Sequence, residues 1–265
     1  HAAVGVAVND LWEQKTGRRQ KIQISVRSAA ASLKSNKYAE IRHKTGGYCN
    51  LVDKEHEFNR QLNGIYRAKD GRWVLPHFGL NHLRDRMLAL LEAYPDQSSI
   101  SRAVSKWDAI DLENAIAEFN LCGGMIRTNS EWLAEPHGKV LSRKPVIEIV
   151  KIGPSDPEPV RSGNRPLSGA RVLDLTRILA GPIAARTLAE HGADVLMVTA
   201  ENLPQVHAYV ADTSHGKRSC FIDLKKNEGA IKLKNLLAAA DIFSQGYRPG
   251  AMEKLGFGPE ELSEI

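Results

Sequence analysis

The 265-residue chain has only three cysteines, Cys49, Cys122 and Cys220, set far apart. An odd, scattered set supports neither a disulfide framework nor a structural zinc site, and it fits a reducing, intracellular and cytoplasmic setting. No apolar run approaches the roughly 20 residues of a spanning helix, so no membrane partner is expected. A long basic block and the usual nucleic-acid motifs are missing, which argues against a nucleic-acid partner. No G-x-G-x-x-G occurs, and a nicotinamide or flavin site has little support. No targeting segment is visible: His1 leads straight into an Ala/Val-rich stretch, as though the chain were cut through an existing element.

What is present is ordinary globular material, 42% hydrophobic and 25% charged, long enough for one large or two ordinary domains. The formal charge of +5 is spread along the chain. An anionic small ligand, such as a phosphate-bearing cofactor, accounts for that excess economically. Residues 153–166, GPSDPEPVRSGNRP, hold four prolines and two glycines with no apolar period and predict a linker.

Before the linker, residues 2–13 predict a helix, KIQISV (21–26) a strand and residues 28–41 a second helix. Residues 42–62 look polar and irregular. GIYRAKDGRWVLPHF predicts two strands joined by Asp70-Gly71, the strongest hairpin signal in the chain. Residues 81–94 and 108–120 carry apolar residues at helical spacing, Asn129 is a candidate N-cap, and PVIEIVKIG (145–153) predicts a closing strand. After the linker, VLDLT, a helix from Pro182, DVLMV, CFIDL, a helix over 228–239 and DIFSQ alternate, which implies βαβ units and a parallel sheet.

Three motifs carry chemistry. In TRILAGP (176–182), Pro182 falls where a first helical residue would, after a buried strand, so that free backbone N–H groups face the ligand-binding edge of a parallel sheet. In HGKRS-C-FIDLK (215–225), Lys217, Arg218 and Lys225 put positive charge at both ends of one strand, as phosphates require. In QGYRPGAMEKLG (245–256), an aromatic beside an arginine, held by Pro249-Gly250, can stack on a purine while the guanidinium takes a phosphate. Each alone is more simply an ordinary turn or a solvated strand end.

Together and in this order, within residues 166–258, the blocks resemble the family III CoA-transferases, a family that includes formyl-CoA transferase, carnitine CoA-transferase and α-methylacyl-CoA racemase. The resemblance implies an α/β fold: a Rossmann-like parallel sheet domain binding coenzyme A, plus a smaller α+β domain. It implies CoA contacts at Leu179 and Ala180, at Ile222, Asp223, Leu224 and Lys225, at Gly246, Tyr247 and Arg248, and at Lys254, with no metal. Ala200 stands where the formyl-CoA enzyme has an Arg. Acyl-CoA and carboxylic acid would be the small-molecule partners, and the parent protein would be a homodimer.

The N-terminal part resembles a later portion of the same family, in AAVGVAVNDLWEQKTGRRQKIQISV, GIYRAKDGRWVLPHFGLNHL and AIAEFNLCGGMIRTNSEWLAEPHG. The order is therefore rear half, linker, front half, as in a piece of a protein with two tandem transferase modules. The expected organisation is residues 1–46 as the rear helix-strand-helix of a first module and 47–138 as the small domain. Residues 139–165 would be strand and linker, and 166–265 the CoA-binding front of a second module.

The family's nucleophile is an Asp carboxylate that attacks the acyl-CoA thioester to give a mixed anhydride. By resemblance it lies on a loop just before the helix that starts near His1, and well past Ile265 in the second module, so no catalytic residue is assigned within this chain. Asp10, Asp53 and Asp174 qualify only by being Asp; His1, His43, His82 and His215 are candidate acids or bases only as isolated histidines. The apolar neighbours of Cys122 predict a buried, inert thiol. The leading expectation is CoA transfer between carboxylic acids. The alternatives are acyl-CoA racemisation or isomerisation, and a non-catalytic CoA-binding or dimerisation module.

Overall fold

The computed structural model describes residues 1–156, 158–159 and 161–265; Pro157 and Val160 of the predicted linker lie outside the described residues. The chain divides into two compact units, one formed by residues 1–51 with 151–265 and the other by residues 52–150.

Helix α1 (Ala2–Thr16) opens the chain and ends at Gly17, whose left-handed φ of 71° lets its N–H reach Glu13 O. The predicted strand 21–26 does not form. A strand needs a ladder partner, and residues 21–26 have none among the described residues; just before them the buried Asn9 amide donates to Gln20 O and accepts from Gln20 N–H. In place of one helix over 28–41 there are α2 (Val26–Ser32), capped by the Ser25 hydroxyl, a 3-10 turn (Ser35–Lys37) and strand β1 (Glu40–Arg42). β1 pairs antiparallel with β2 (Tyr48–Asn50), within the stretch expected to be irregular.

The second unit begins with α3 (Lys54–Leu62), also unexpected and capped by the Asp53 carboxylate. The Asp70-Gly71 hairpin forms as predicted, between β3 (Tyr66–Arg67) and β4 (Trp73–Pro76), with Gly71 at φ 81°. Next come α4 (Asn81–Leu91), α5 (Gln97–Val104) and α6 (Ala109–Glu118), then β5 (Gly123–Met125), antiparallel to β4. Helix α7 (Asn129–Ala134) is capped by Thr128 rather than Asn129, in a reciprocal box with Glu131, and α8 (Pro136–Leu141) follows. Val74, Phe78, Met87, Ile100, Leu112 and Ile116 fill this unit's core. Residues 145–153 are not a strand: among the described residues they have no ladder partner, and Val146, Ile147 and Ile149 are fully or largely exposed.

The remainder of the first unit alternates as expected: β6 (Arg171–Asp174), α9 (Ala180–Glu190), β7 (Asp194–Thr199), α10 (His207–Thr213), β8 (Lys217–Phe221), α11 (Asn227–Leu237) and β9 (Ile242–Ser244). The four strands are parallel in the order β8-β7-β6-β9, and a 3-10 turn (Glu253–Leu255) and α12 (Pro259–Leu262) close the chain. The chain thus winds outward from β6 through β7 to β8, then returns across the sheet to β9. That reversal makes the β6/β9 boundary a topological switch point, where strand-end loops diverge and leave a crevice. The fold class is α/β, with a Rossmann-like parallel sheet beside antiparallel elements. Among the described residues no helix is long and apolar enough to cross a membrane.

Candidate functional site

All four parallel strands run toward one edge, so the segments that leave them converge there. Leu175 follows β6, Thr199 and Ala200 end and follow β7, residues 222–225 follow β8, and Tyr247 lies three residues past β9. These residues line one cavity of about 160 Å³, floored by the apolar side chains of Leu175, Val198, Ile222 and Met252. A mostly apolar floor with a few polar groups at its rim is the usual make-up of a small-molecule site.

Two local devices shape it. Ile222 N–H donates to Thr199 O at 2.7 Å, extending the sheet by one step, after which Asp223 turns the chain by accepting from Lys225 N–H. Helix α11 sits hard against this turn: a Cβ on Gly229 would lie 2.1 Å from Asp223 O. On the other side, Arg248 to Ala251 form a turn closed by Ala251 N–H donating to Arg248 O at 3.0 Å, with Pro249 second and Gly250 third at φ 79°. Tyr247 precedes it, half-buried against the cluster around Leu173, Leu233 and Phe257. Burial pushes its phenol above the ordinary value, partly opposed by the nearby positive charge of Arg177.

Of the residues singled out in the sequence, Ile222, Asp223, Leu224, Lys225 and Tyr247 share this cavity. Ala200, in the position noted for its missing arginine, lines it too and is buried. Leu179 and Ala180 do not: they cap and begin α9, with the helix starting two residues ahead of Pro182 rather than at it. Gly246, Arg248 and Lys254 are exposed and outside the cavity lining, Lys254 within the last 3-10 turn. Gly246 has neither a left-handed φ nor any atom within 4 Å of where a Cβ would stand.

The expected phosphate role of Lys217 is overturned. Its ammonium is buried, 1% exposed, and donates to the equally buried Asp174 Oδ2 at 2.8 Å and to Pro182 O at 2.9 Å. Lys217 does stand at the start of β8, but its side chain turns inward to the Asp174 carboxylate instead of outward to solvent. Arg218 faces out and pairs with Asp194.

The alternative nucleophiles and bases find structural employment or none. Asp10 pairs with Arg19, Asp53 caps α3, and Asp174 is locked against Lys217. His215 Nδ1 lies 2.7 Å from Asp212 O, His1 Nε2 lies 2.6 Å from Ser32 Oγ, and His82 is exposed in the first turn of α4. His43 Nε2 lies 3.3 Å from Cys49 Sγ on the exposed β1–β2 hairpin. Cys122 is exposed, not buried, because the preceding Leu121 takes the inward position after α6. Cys220 is the half-buried thiol, and burial pushes it up. Among the described residues no three His, Cys, Asp or Glu side chains gather as a metal site. A residue that sequence reasoning passed over is Arg177, which faces the same sheet edge.

Residues 167–265 match the profile of "CoA-transferase family III". The acetyl-coenzyme A transferase nodX of Hypoxylon pulicicidum is 31% identical over 222 residues, covering 77% of this chain and 37% of that protein. Human succinyl-CoA:glutarate CoA-transferase is 34% identical over 113 residues, 38% of this chain and 26% of its own length. Mouse alpha-methylacyl-CoA racemase is 38% identical over 101 residues, 36% of this chain and 24% of that protein. The chain spans well under half the length of each of these relatives. With the motifs in order on a parallel sheet whose strand ends build one cavity, residues 167–265 are the part of the chain that matches CoA-transferase family III.

Proposed function

We propose that the protein to which this chain belongs moves CoA between carboxylic acids, and that residues 166–265 hold the CoA. The observation that carries this reading is the convergence of residues 222–225 and Tyr247 on one cavity at the C-terminal edge of the sheet. Tyr247 would lie against the adenine, Lys225 at the rim would meet a phosphate, and the open space at Gly246 would let a ligand approach the backbone. The chemistry would run through an Asp-linked acyl anhydride, with the Asp outside this chain. Acyl-CoA and a carboxylic acid are the substrates, and the parent protein is a homodimer of intracellular, cytoplasmic setting.

The two parts of the chain would come from successive modules of a tandem protein, 1–46 and 47–138 from the first and 166–265 from the second, joined through 139–165. Support comes from nodX, which aligns over 77% of the chain, whereas the human transferase aligns over 38%. The parent protein, incubated with acyl-CoA and treated with hydroxylamine, should carry a hydroxamate on an Asp side chain, detectable by mass spectrometry of its peptides, because hydroxylamine traps the activated carboxyl; an unmodified Asp in an enzyme that still binds CoA would contradict the covalent route.

A second reading, acyl-CoA racemisation on the same scaffold, is favoured by the likeness to the mouse racemase. It predicts deuterium uptake at the acyl α-carbon in heavy water with no acceptor acid present.

A further inference from the structure

The turn between β6 and α9 is held by hydrogen bonds at both of its ends. Leu175 N–H donates to Ser244 O at 2.8 Å, tying the end of β6 to β9. Thr176 donates to Asp174 Oδ1 through both its N–H and its hydroxyl. The buried Lys217 ammonium bridges Asp174 and Pro182 O, joining the two ends of the turn. Between them Ile178 is held at φ 69°, a left-handed conformation that β-branched residues avoid, and Gly181 packs where a Cβ would stand 2.3 Å from Thr176 Cβ.

Arg177 sits in the middle of this fixed segment. The residue is half-buried, yet among the described residues its guanidinium makes no hydrogen bond or ion pair. The other strongly covered arginines are all engaged: Arg84 with Asp85 and Asn59, Arg127 with Glu113 and Glu135, Arg186 with Glu190 and Asp212. Arg177 lines a narrow cleft between the ends of β6 and β7, and Thr199 belongs both to that cleft and to the cavity holding Tyr247. Its charge is felt at the Tyr247 phenol. A guanidinium is a planar fork of donors suited to phosphate oxygens, and a partly desolvated one gains most from an anion.

We propose that Arg177 is a phosphate-binding residue of this edge, its guanidinium taking the pyrophosphate of a nucleotide whose base lies against Tyr247. The inference rests on the CoA reading and adds to it a cation that the motif comparison did not single out. The buried Lys217, instead of touching ligand, positions Arg177 by holding both ends of its turn.

Calorimetric titration of the chain with ADP and with adenosine separates the two ideas, using the wild type, Arg177→Met, Arg177→Lys and Tyr247→Ala, each checked for folding by circular dichroism. Arg177→Met should weaken ADP at least tenfold and leave adenosine unchanged, with Arg177→Lys in between. Unchanged ADP affinity in Arg177→Met, or an equal loss for adenosine, would overturn the assignment. If Tyr247→Ala weakens both ligands while Arg177→Met weakens neither, Arg177 alone is wrong and the CoA reading stands. A folded wild type that binds neither ADP nor CoA would remove both.

Discussion

The two compact units differ in their most deeply placed ion pair. In the parallel-sheet unit, beside surface pairs such as Arg218 with Asp194, Asp174 and Lys217 are essentially inaccessible, whereas in the 52–150 unit the deepest pair among the described residues, Arg127 with Glu113, keeps 13% and 23% exposure, and Arg72 with Glu131 keeps 38% and 42%. A buried pair recovers little net stability over apolar residues of the same size, but it strongly penalises any conformation that separates its members. A half-exposed pair costs less to form and specifies less. The buried pair belongs to a turn at the proposed ligand edge, where one conformation must be selected; the more accessible pairs fasten Arg127 and Arg72 around β5 and α7, where ordinary stabilisation suffices.

The largest expected effect tests the buried side of this contrast. Lys217→Met leaves Asp174 charged and unpaired, and should cost about 3–5 kcal/mol in chemical denaturation. Replacing both, as Asp174→Leu with Lys217→Met, should recover most of that stability while leaving CoA binding weak, since nothing then joins Thr176 to Pro182. A double variant with full affinity would show the pair to be dispensable to the site. Gly229→Ala comes next: its Cβ would meet Asp223 O at 2.1 Å, so a loss of about 1–3 kcal/mol is expected, with weaker CoA binding as the 222–225 turn shifts.

On the half-exposed side the effects shrink. Glu113 accepts from Arg127 and from Met125 N–H, and Glu113→Gln should cost about 1–2 kcal/mol. The same contacts predict a pH response. Arg127, with Met125 N–H, holds the Glu113 carboxyl below its ordinary value, and Arg72, with the Thr128 N–H and hydroxyl, holds Glu131 down to about 2. Both carboxylates have folded values below unfolded ones, so their contribution is complete above the ordinary carboxylate value of 4.5. It is lost as pH falls through the folded values, for Glu131 from 4.5 toward about 2. Melting temperature should fall over that window, and Glu131→Gln with Glu113→Gln should flatten the decline. An unchanged slope would assign acid sensitivity to other groups.

How far the sequence could be read also differs between regions, for physical reasons. The strand-helix alternation after residue 166 was legible because buried parallel strands such as VLDLT and DVLMV are short apolar runs bounded by turn residues. The Asp70-Gly71 hairpin was legible because its turn chemistry is local. KIQISV and PVIEIVKIG were misread for the opposite reason: alternation gives a segment the capacity to pair, but pairing depends on a distant edge. Helix α3 went unseen because KEHEFNRQL is mostly polar, although Asp53 followed by Glu55 and Glu57 is a helix-start signal. At the candidate site, residues 222–225 and Tyr247, which the family resemblance points to, come together in one cavity because each follows a strand of the same parallel sheet. The burial of Lys217 was hidden, since whether a lysine at a strand start turns inward depends on an acid 43 residues away. Arg177 was hidden too, since a half-buried guanidinium with no partner among the described residues stands out only once Arg84, Arg127 and Arg186 are seen to be engaged.

The most direct test of the central claim is a calorimetric titration of this chain with free CoA, wild type beside Tyr247→Ala. Saturable binding by the wild type, weakened at least tenfold in the variant, is the predicted result. A folded wild type that takes up no CoA, or a Tyr247→Ala variant that binds it equally well, would contradict the assignment of this cavity to the cofactor.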